Sequence, residues 1–404
     1  METIPQKLVN FCQACDSLNL QLIYDFGEVA LAGYFPFEHN RKLPLLEMKL
    51  LFCRNCKLVQ TSPNISDDFL FEEYRYVSSV GMRDHFRDLA EWWFKSEKPN
   101  KYSKILEIGC NDGPLLFALS DLGFKPIGID PAKNIVRRSK NSGLRIIEDY
   151  FNSSSISKYS ELQELDYIFS SNSFAHISNI GEIAKSVANA LNLNGKFILE
   201  VQSFPELVSN NAFDFVYHEH KYYYTVESLT NLFNKNGLFL TYGTTTASHG
   251  GSYRLVFSKK TSTLNLETRT FIQRENVVDM TVEGIRNSID KFYREIDNLK
   301  FLLEELSLNN KKITAFGASG RANMILSALG SHRSFIDCVL DESPERIGRQ
   351  MAQFNLKIKP FSSFDCNKTD YLLILAWNYT DIIIEKWTNQ NTKFIIPLPK
   401  FKVI

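Results

Sequence analysis

Apolar and polar positions change spacing several times along the chain, and each change marks an element. Met82, Phe86, Leu89, Ala90 and Trp93 recur at helical spacing, so a helix is expected there. From residue 101 short apolar runs alternate with helical stretches. The runs predict strands at 104–108, 126–130, 144–148, 166–170 and 195–201, then two late strands at 237–242 and 252–257. Val282, Ile285, Ile289, Phe292, Ile296, Leu299, Leu302 and Leu306 return to helical spacing, the mark of an amphipathic connector. The α/β alternation then restarts. Ile313–Phe316 reads as a strand, Met324–Leu329 as a helix, and Cys338–Leu340, Leu372–Trp377 and Lys393–Leu398 as further strands. The pattern predicts segments at 1–60, 61–100 (a helical linker), 101–264, 265–310 (a helical connector) and 311–404. The two large ones are α/β sheets of Rossmann-like character.

The chemistry concentrates where the first of these sheets begins. Ile105-Leu106-Glu107-Ile108-Gly109-Cys110-Asn111-Asp112-Gly113 is a buried strand breaking into a glycine turn, and Pro114 opens a helix. Gly109 and Gly113 allow a tight turn and close approach of a ligand. A dinucleotide fingerprint would need a third glycine. This turn is acidic instead, through Glu107 and Asp112, and repels phosphate while suiting a cation with free hydroxyls. S-adenosylmethionine carries a sulfonium, an ammonium and a ribose diol. Asp130, before Pro131, ends the second strand where a ribose-binding acid is expected. The pattern resembles class I methyltransferases. Asn111 and Tyr74 join the expected cofactor contacts, Asp149 is expected beside adenine, and Asn172 and His176 are expected to face the methyl group and the substrate.

Composition changes little. Hydrophobic residues make up 44% and charged residues 23%, and 46 Lys plus Arg balance 46 Asp plus Glu. No global field draws the chain to nucleic acid or an anionic membrane. No apolar run reaches membrane-spanning length, and the first ten residues lack a signal-peptide core, so a cytoplasmic protein is expected. Four of seven cysteines form two knuckles, Cys12-Gln13-Ala14-Cys15 and Cys53-Arg54-Asn55-Cys56. Two C-x-x-C pairs complete one tetrahedral zinc with no open position, which makes the zinc structural. The intervening segment must fold back, and Phe11, Phe26, Tyr34, Phe35 and Phe37 are expected to cover the site. Cys110, Cys338 and Cys366 have no knuckle partner.

Tyr217-His218-Glu219-His220-Lys221-Tyr222-Tyr223-Tyr224-Thr225 packs two histidines, an acid and four tyrosines into nine residues. Its readings are an acid/base cluster, a surface aromatic patch, or a metal site on His218 and His220. Ser248-His249-Gly250-Gly251-Ser252 is either part of the site or a hairpin turn. Gly317-Ala318-Ser319-Gly320-Arg321-Ala322-Asn323 opens a helix and reads as a phosphate cradle with an added positive charge.

Taken in order, these motifs resemble the sugar C-methyltransferases that act on nucleotide-linked 4-keto-6-deoxyhexoses, the C-3-methyltransferase type. The carriers are the paired knuckles, Tyr74-x-Tyr76-x-Ser78-Ser79, the Glu107–Gly113 loop, Ala175-His176-Ile177, Tyr217-x-Glu219-His220, His249-Gly250-Gly251, the Gly317 loop and Ala376-Trp377-Asn378. The resemblance implies a class I S-adenosylmethionine sheet flanked by a zinc-binding domain and a C-terminal Rossmann-like domain. It places the general base on His220, supported by Glu219 and Tyr217, with His176 and Tyr76 as further catalytic groups. It implies a nucleotide-diphosphate sugar, dTDP-linked, held by Tyr223, Tyr224, His249, Gly250, Gly317, Ser319, Arg321, Asn323, Asp341, Trp377 and Asn378. No nucleic-acid or membrane partner is implied, and a monomer or weak dimer is expected. The Gly317 loop departs from the Ala-Lys-Gly-Asn of many relatives. O- or N-methylation on the same sheet, and a nucleotide-sugar oxidoreductase using NAD, are the competing activities. A zinc-binding module without catalysis is a third reading.

Overall fold

The computed structural model describes residues 4–37, 44–72, 74, 77–78, 82–139, 142–351, 354–365, 368–386 and 392–404. Tyr76 and Cys366 lie outside the described residues. The knuckle-bearing segment folds back as a hairpin, Leu20–Val29 against Leu46–Cys53, with Val59–Ser62 added antiparallel. Tyr222–Tyr223 completes this four-stranded sheet from a distant part of the chain. Val59–Ser62 runs through the boundary expected at residue 60, because it pairs with Lys49–Phe52 along one edge and with Tyr222–Tyr223 along the other.

The central sheet has seven strands. Their order is Phe239–Thr246, Ser252–Ser258, Leu191–Gln202, Leu165–Ser171, Ile105–Ile108, Ile127–Ile129 and Arg145–Ile147. Only Ser252–Ser258 runs antiparallel to its neighbours. Ile105–Ile108 is buried throughout, as its continuous apolar run requires. The strand order reverses on its two sides, which opens a crevice beyond its carboxyl end, between it and Leu165–Ser171. Gly109 sits at that opening with φ +71°, and a Cβ there would meet the Ser173 side chain at 2.4 Å. The glycine is required twice over, by conformation and by space.

The C-terminal sheet also has seven strands. Five parallel ones, Leu356–Pro360, Ile336–Asp341, Ile313–Phe316, Tyr371–Ile374 and Lys393–Ile396, lie between antiparallel edges at Gln350–Met351 and Lys402–Val403. Leu356–Pro360 and both edges were not legible in the sequence, where their alternation is short or masked by lysine. Val282–Leu308 is more than a connector. It buries Ile285, Ile289, Phe292, Ile296, Leu299, Leu303 and Leu306. Its Arg286 donates to the carbonyls of Ile23 and Leu22 in the N-terminal hairpin, at 2.8 and 2.7 Å. Among the described residues, no helix is long and apolar enough to cross a membrane.

Candidate active site

The four knuckle sulfurs lie within 4.8 Å of one another. Cys12 and Cys56 are 3.5 Å apart and Cys15 and Cys53 3.6 Å, close to the roughly 3.8 Å that a tetrahedral ion with 2.3 Å bonds imposes. The Cys56 thiol pulls Cys12 down to about 6, while burial pushes Cys15 up to about 11. A dication relieves that crowding, so the donor set fits zinc. Three of the five aromatics expected to cover the site, Phe26, Phe35 and Phe37, are elsewhere. Phe35 and Phe26 pack in the core shared with the C-terminal region, and Phe37 lies under the Arg349 guanidinium. The cysteines are covered by the central domain instead. Cys12, Cys53 and Cys56 pack in one cluster with Tyr222 and Ile180, and Gln13 accepts the Gly181 amide at 3.1 Å.

A cavity of about 1210 Å³ opens from the crevice of the central sheet to the C-terminal domain. That exceeds the volume usual for one small ligand. Three groups of the expected residues meet on its wall. Tyr74, Gly109, Asn111, Asp130, Pro131 and Asn172 line one end, His176, Tyr217, Glu219 and His220 the middle, and Ser319, Arg321 and Asn378 the far end.

At the first end, Asp130 braces the turn by accepting the amides of Asn111 at 2.8 Å and Ala132 at 2.9 Å. Asn111 Oδ1 accepts the Ser78 amide at 3.0 Å, which ties the 74–78 segment to the loop. Glu107 is 1% exposed, and its Oε2 has no protein partner. Burial, then the Asp130 and Asp112 charges, push its carboxyl well above the usual range. Burial also raises Asp130. Such a loop fits a cationic ligand, and S-adenosylmethionine would be held by Asp130 and the Gly109–Asn111 backbone. Glu107, Asp112 and Gly113 stand behind this wall rather than on it. Asp149 is not on it either, since its carboxylate turns to Lys158, at 2.9 Å. Burial pushes the Asp149 carboxyl up, but Lys158, the Tyr150 amide and the Tyr159 hydroxyl together bring it below its ordinary range. Tyr150, Phe151 and Asn152 line the cavity in its place.

In the middle, His220 Nδ1 faces the Phe215 carbonyl at 3.2 Å and Nε2 faces the Tyr217 hydroxyl at 2.9 Å. A carbonyl only accepts, so Nδ1 carries the proton and Nε2 of the neutral ring is basic. The His176 and His220 rings stand edge to face, 4.7 Å apart. Glu219 is braced from the N-terminal region. Its Oε1 accepts the Gly33 amide at 2.6 Å, and burial raises its carboxyl to about 7. His218 turns away, with Nε2 donating to the Glu47 carbonyl at 3.2 Å, and burial lowers it to about 4. The two histidines therefore do not converge on a metal.

Tyr223 and Tyr224, expected at the substrate, are 3% and 1% exposed. Their hydroxyls go to the carbonyls of Phe215 and Phe174, because each must satisfy a polar tip inside a core. Ser248–Gly250 is the turn of the hairpin between Phe239–Thr246 and Ser252–Ser258, away from the cavity wall. The His249 side chain is not described.

At the far end, Arg321 lies 3.7 Å over the Phe215 ring and 4.7 Å from that of Trp377. It donates to Asp214 and Asn378, both at 2.8 Å, and Trp377 also donates to Asp214, at 2.9 Å. Burial raises the Asp214 carboxyl, against the pull of Arg321. Gly317, Asn323, Asp341 and Trp377 lie behind the wall. Gly317 packs on Ala376, Asn323 donates to the Ala32 carbonyl at 2.7 Å, and Asp341 accepts the Ala318 amide at 2.7 Å. Sequence reasoning missed Asp214 and Gly33. It also missed the buried cluster in which Glu200 meets His85 at 2.7 Å, Arg254 at 2.6 Å and the wall residue Ser171 at 2.9 Å. Burial alone would raise Glu200, and His85 with Arg254 bring it below its ordinary value instead. Their partners lie tens to hundreds of residues away, so no local spacing announces them.

With this geometry in hand, three family models match in order. They are described as "Putative zinc binding domain" over residues 12–71, "Methyltransferase domain" over 81–242 and "C-methyltransferase C-terminal domain" over 247–399. The chain is 27% identical to the C-methyltransferase NovU of Streptomyces niveus, over 98% of its length and 97% of that protein's. The chain is an S-adenosylmethionine-dependent C-methyltransferase. Among solved structures, the magnesium protoporphyrin IX methyltransferase of Synechocystis with bound SAM is 13% identical, with 44% of this chain and 79% of that one covered and a TM-score of 0.33. The PH0226 protein of Pyrococcus horikoshii is 18% identical, with coverages of 48% and 98% and a TM-score of 0.37. In this C-methyltransferase the zinc-binding, methyltransferase and C-terminal parts all contribute to the wall of one cavity.

Proposed function

We propose that this C-methyltransferase acts on C-3 of a nucleotide-linked 4-keto-6-deoxyhexose, dTDP-linked, with His220 as general base. The observation that carries the reading is the basic Nε2 of His220 on the wall of the chamber that the acidic Gly109–Asp130 end also lines. A proton on carbon beside a ketone is weakly acidic, and carbon methylation needs it removed, whereas oxygen or nitrogen methylation needs only proximity. His220 Nε2 takes that proton and the ketone oxygen becomes the enolate oxygen. Bound S-adenosylmethionine supplies a methyl carbon on a sulfonium, which leaves as a neutral thioether.

An imidazolium is a far stronger acid than such a carbon, so the base works only with donors on the enolate oxygen, each contributing roughly 2.7–4 kcal/mol. His176 stands beside His220 and fits that role. The Tyr217 hydroxyl donates to Nε2 in the free chain and joins His176 by turning to the enolate oxygen as Nε2 takes the proton. Burial keeps the Tyr217 phenol protonated. The sugar's diphosphate and base extend to Ser319, Arg321 and Asn378.

The test is incubation of the purified chain with S-adenosylmethionine and a dTDP-4-keto-6-deoxyhexose, reading product mass and, by NMR, the position of the new methyl group. His220→Ala should lower turnover roughly 10²–10⁴-fold with cofactor affinity nearly unchanged, and should stop exchange of the C-3 hydrogen with deuterated water. A His220→Ala protein with near-normal turnover would sink the base assignment, and a methyl group on oxygen would sink the substrate reading.

A further inference from the structure

Lys221 follows His220 directly and is fully buried, with no exposed side-chain surface. Its Nζ is paired with Asp67 and donates to Ser178 Oγ at 2.7 Å. Ser178 Oγ in turn donates to Asp67 at 2.9 Å. The three groups close a ring of charge-assisted bonds beneath the cavity wall, where Asp67 and Ser178 both appear. The Lys221 backbone is held as well. Its amide donates to the Ala175 carbonyl at 2.8 Å, and its carbonyl accepts the Thr61 amide at 2.9 Å. Lys221 therefore grips the other histidine loop at two points, Ala175 by its main chain and Ser178 by its side chain. These points bracket His176.

A buried ammonium is costly to desolvate, and an apolar side chain of the same length would fill the space with less penalty. What the ion pair adds is direction. A charged ring with fixed partners admits one register of the 175–178 loop against the 217–221 loop, while packing alone tolerates several. We propose that Lys221 is a positioning residue: through Asp67 and Ser178 it fixes the spacing of the His176 and His220 imidazoles across the cavity. Lys221 is not itself an acid or base of the reaction, since its N–H groups donate to Asp67 and Ser178 and its side chain is off the wall. The proposal rests on the reading that these two imidazoles do the chemistry, but the register it describes is measurable without substrate.

The experiment compares the full-length protein with Lys221→Met, with the double variant Lys221→Met/Asp67→Asn, and with Ser178→Ala. The single Lys221 variant strands a buried carboxylate and should melt lower. The double variant removes the stranded charge and should recover most of that loss. The imidazole nitrogen and proton resonances of His176 and His220, assigned by deleting each histidine, should shift in all three variants. They should stay shifted in the double variant despite its recovered melting temperature. With the keto-sugar nucleotide, kcat should fall about 10²-fold in the double variant, as misplacement near 1 Å does, with KM and cofactor affinity little changed.

A double variant with wild-type imidazole resonances overturns the proposal, because the ion pair would then be structural only. Shifted resonances with wild-type kcat overturn it too. If the wild-type chain methylates no keto-sugar nucleotide, the substrate reading fails, and the resonances alone decide whether Lys221 sets the register. Ser178→Ala keeps the charge pair and so gives a folded variant if the others do not fold. Unshifted His176 resonances in it count against the proposal.

Discussion

Burial holds the Glu219 carboxyl at about 7, well above the ordinary range of a glutamate, in a wall position next to the proposed base. Its folded value lies above its unfolded one. It therefore contributes stability fully below pH 4.5, and that contribution is lost as pH rises through about 7. Glu219→Gln keeps a carbonyl for the Gly33 amide but cannot ionise. The melting temperature of the variant minus that of the wild type should rise between pH 5 and pH 8 and then level. Other titrating groups are common to both proteins and cancel. A difference flat across that range would mean that the carboxyl is hydrated enough to ionise normally.

The sequence could name Glu219 as part of an acid/base cluster, but not its partner, because Gly33 lies 186 residues away. The same limit explains the tyrosines. Tyr217, Tyr223 and Tyr224 look alike in a nine-residue stretch. Only the pairing of Tyr222–Tyr223 with Val59–Gln60 decides which of them turns into the core. Gly109 was legible because the need for glycine is local, in a strand that must turn toward a ligand.

The acidic glycine turn is the element whose chemistry was most fully readable, since strand, turn and carboxylates are consecutive. Its energetics depend on what the sequence hides, namely that Glu107 is buried and lacks a protein partner on Oε2. Burial raises both Glu107 and Asp130, so the free turn holds on to protons more tightly than free carboxyls do, and a cationic ligand opposes that. Binding of S-adenosylmethionine should therefore release protons, and affinity should rise with pH, about tenfold per unit for each proton released. Titration calorimetry in buffers of different ionisation enthalpy measures the release directly. Glu107→Gln should reduce it and weaken binding at pH 8. Equal release from variant and wild type would show that Glu107 stays neutral in the complex. The knuckles were legible for a comparable reason, since two C-x-x-C pairs constrain one ion whatever covers them. The cover was not legible, because Gly181 and Tyr222 reach the site only through tertiary packing.

At the scale of the whole molecule, the division into segments that periodicity suggests is not a division of the core. One cluster of buried residues runs from Ile23 and Leu50 in the N-terminal hairpin through Phe204 and Phe213 to Ile289, Leu326 and Val339. Polar seams reinforce it, with Arg286 on the hairpin carbonyls, Asn323 on Ala32 and Arg321 on Asp214. Multidomain chains commonly unfold in steps. Here one large cluster is shared by all the parts, so a step that releases one part exposes apolar surface on the others. The zinc-loaded chain should therefore show a single calorimetric transition. Removing the metal with a chelator should move that whole transition to lower temperature, since ligand binding to the folded state alone stabilises it. Cys12→Ser should do the same without chelator. A separate low-temperature peak that disappears with the metal, while the main peak stays in place, would mean that the knuckles fold independently. Zinc would then have no hold on the strand Val59–Ser62, which pairs with Tyr222–Tyr223 beside the two histidines.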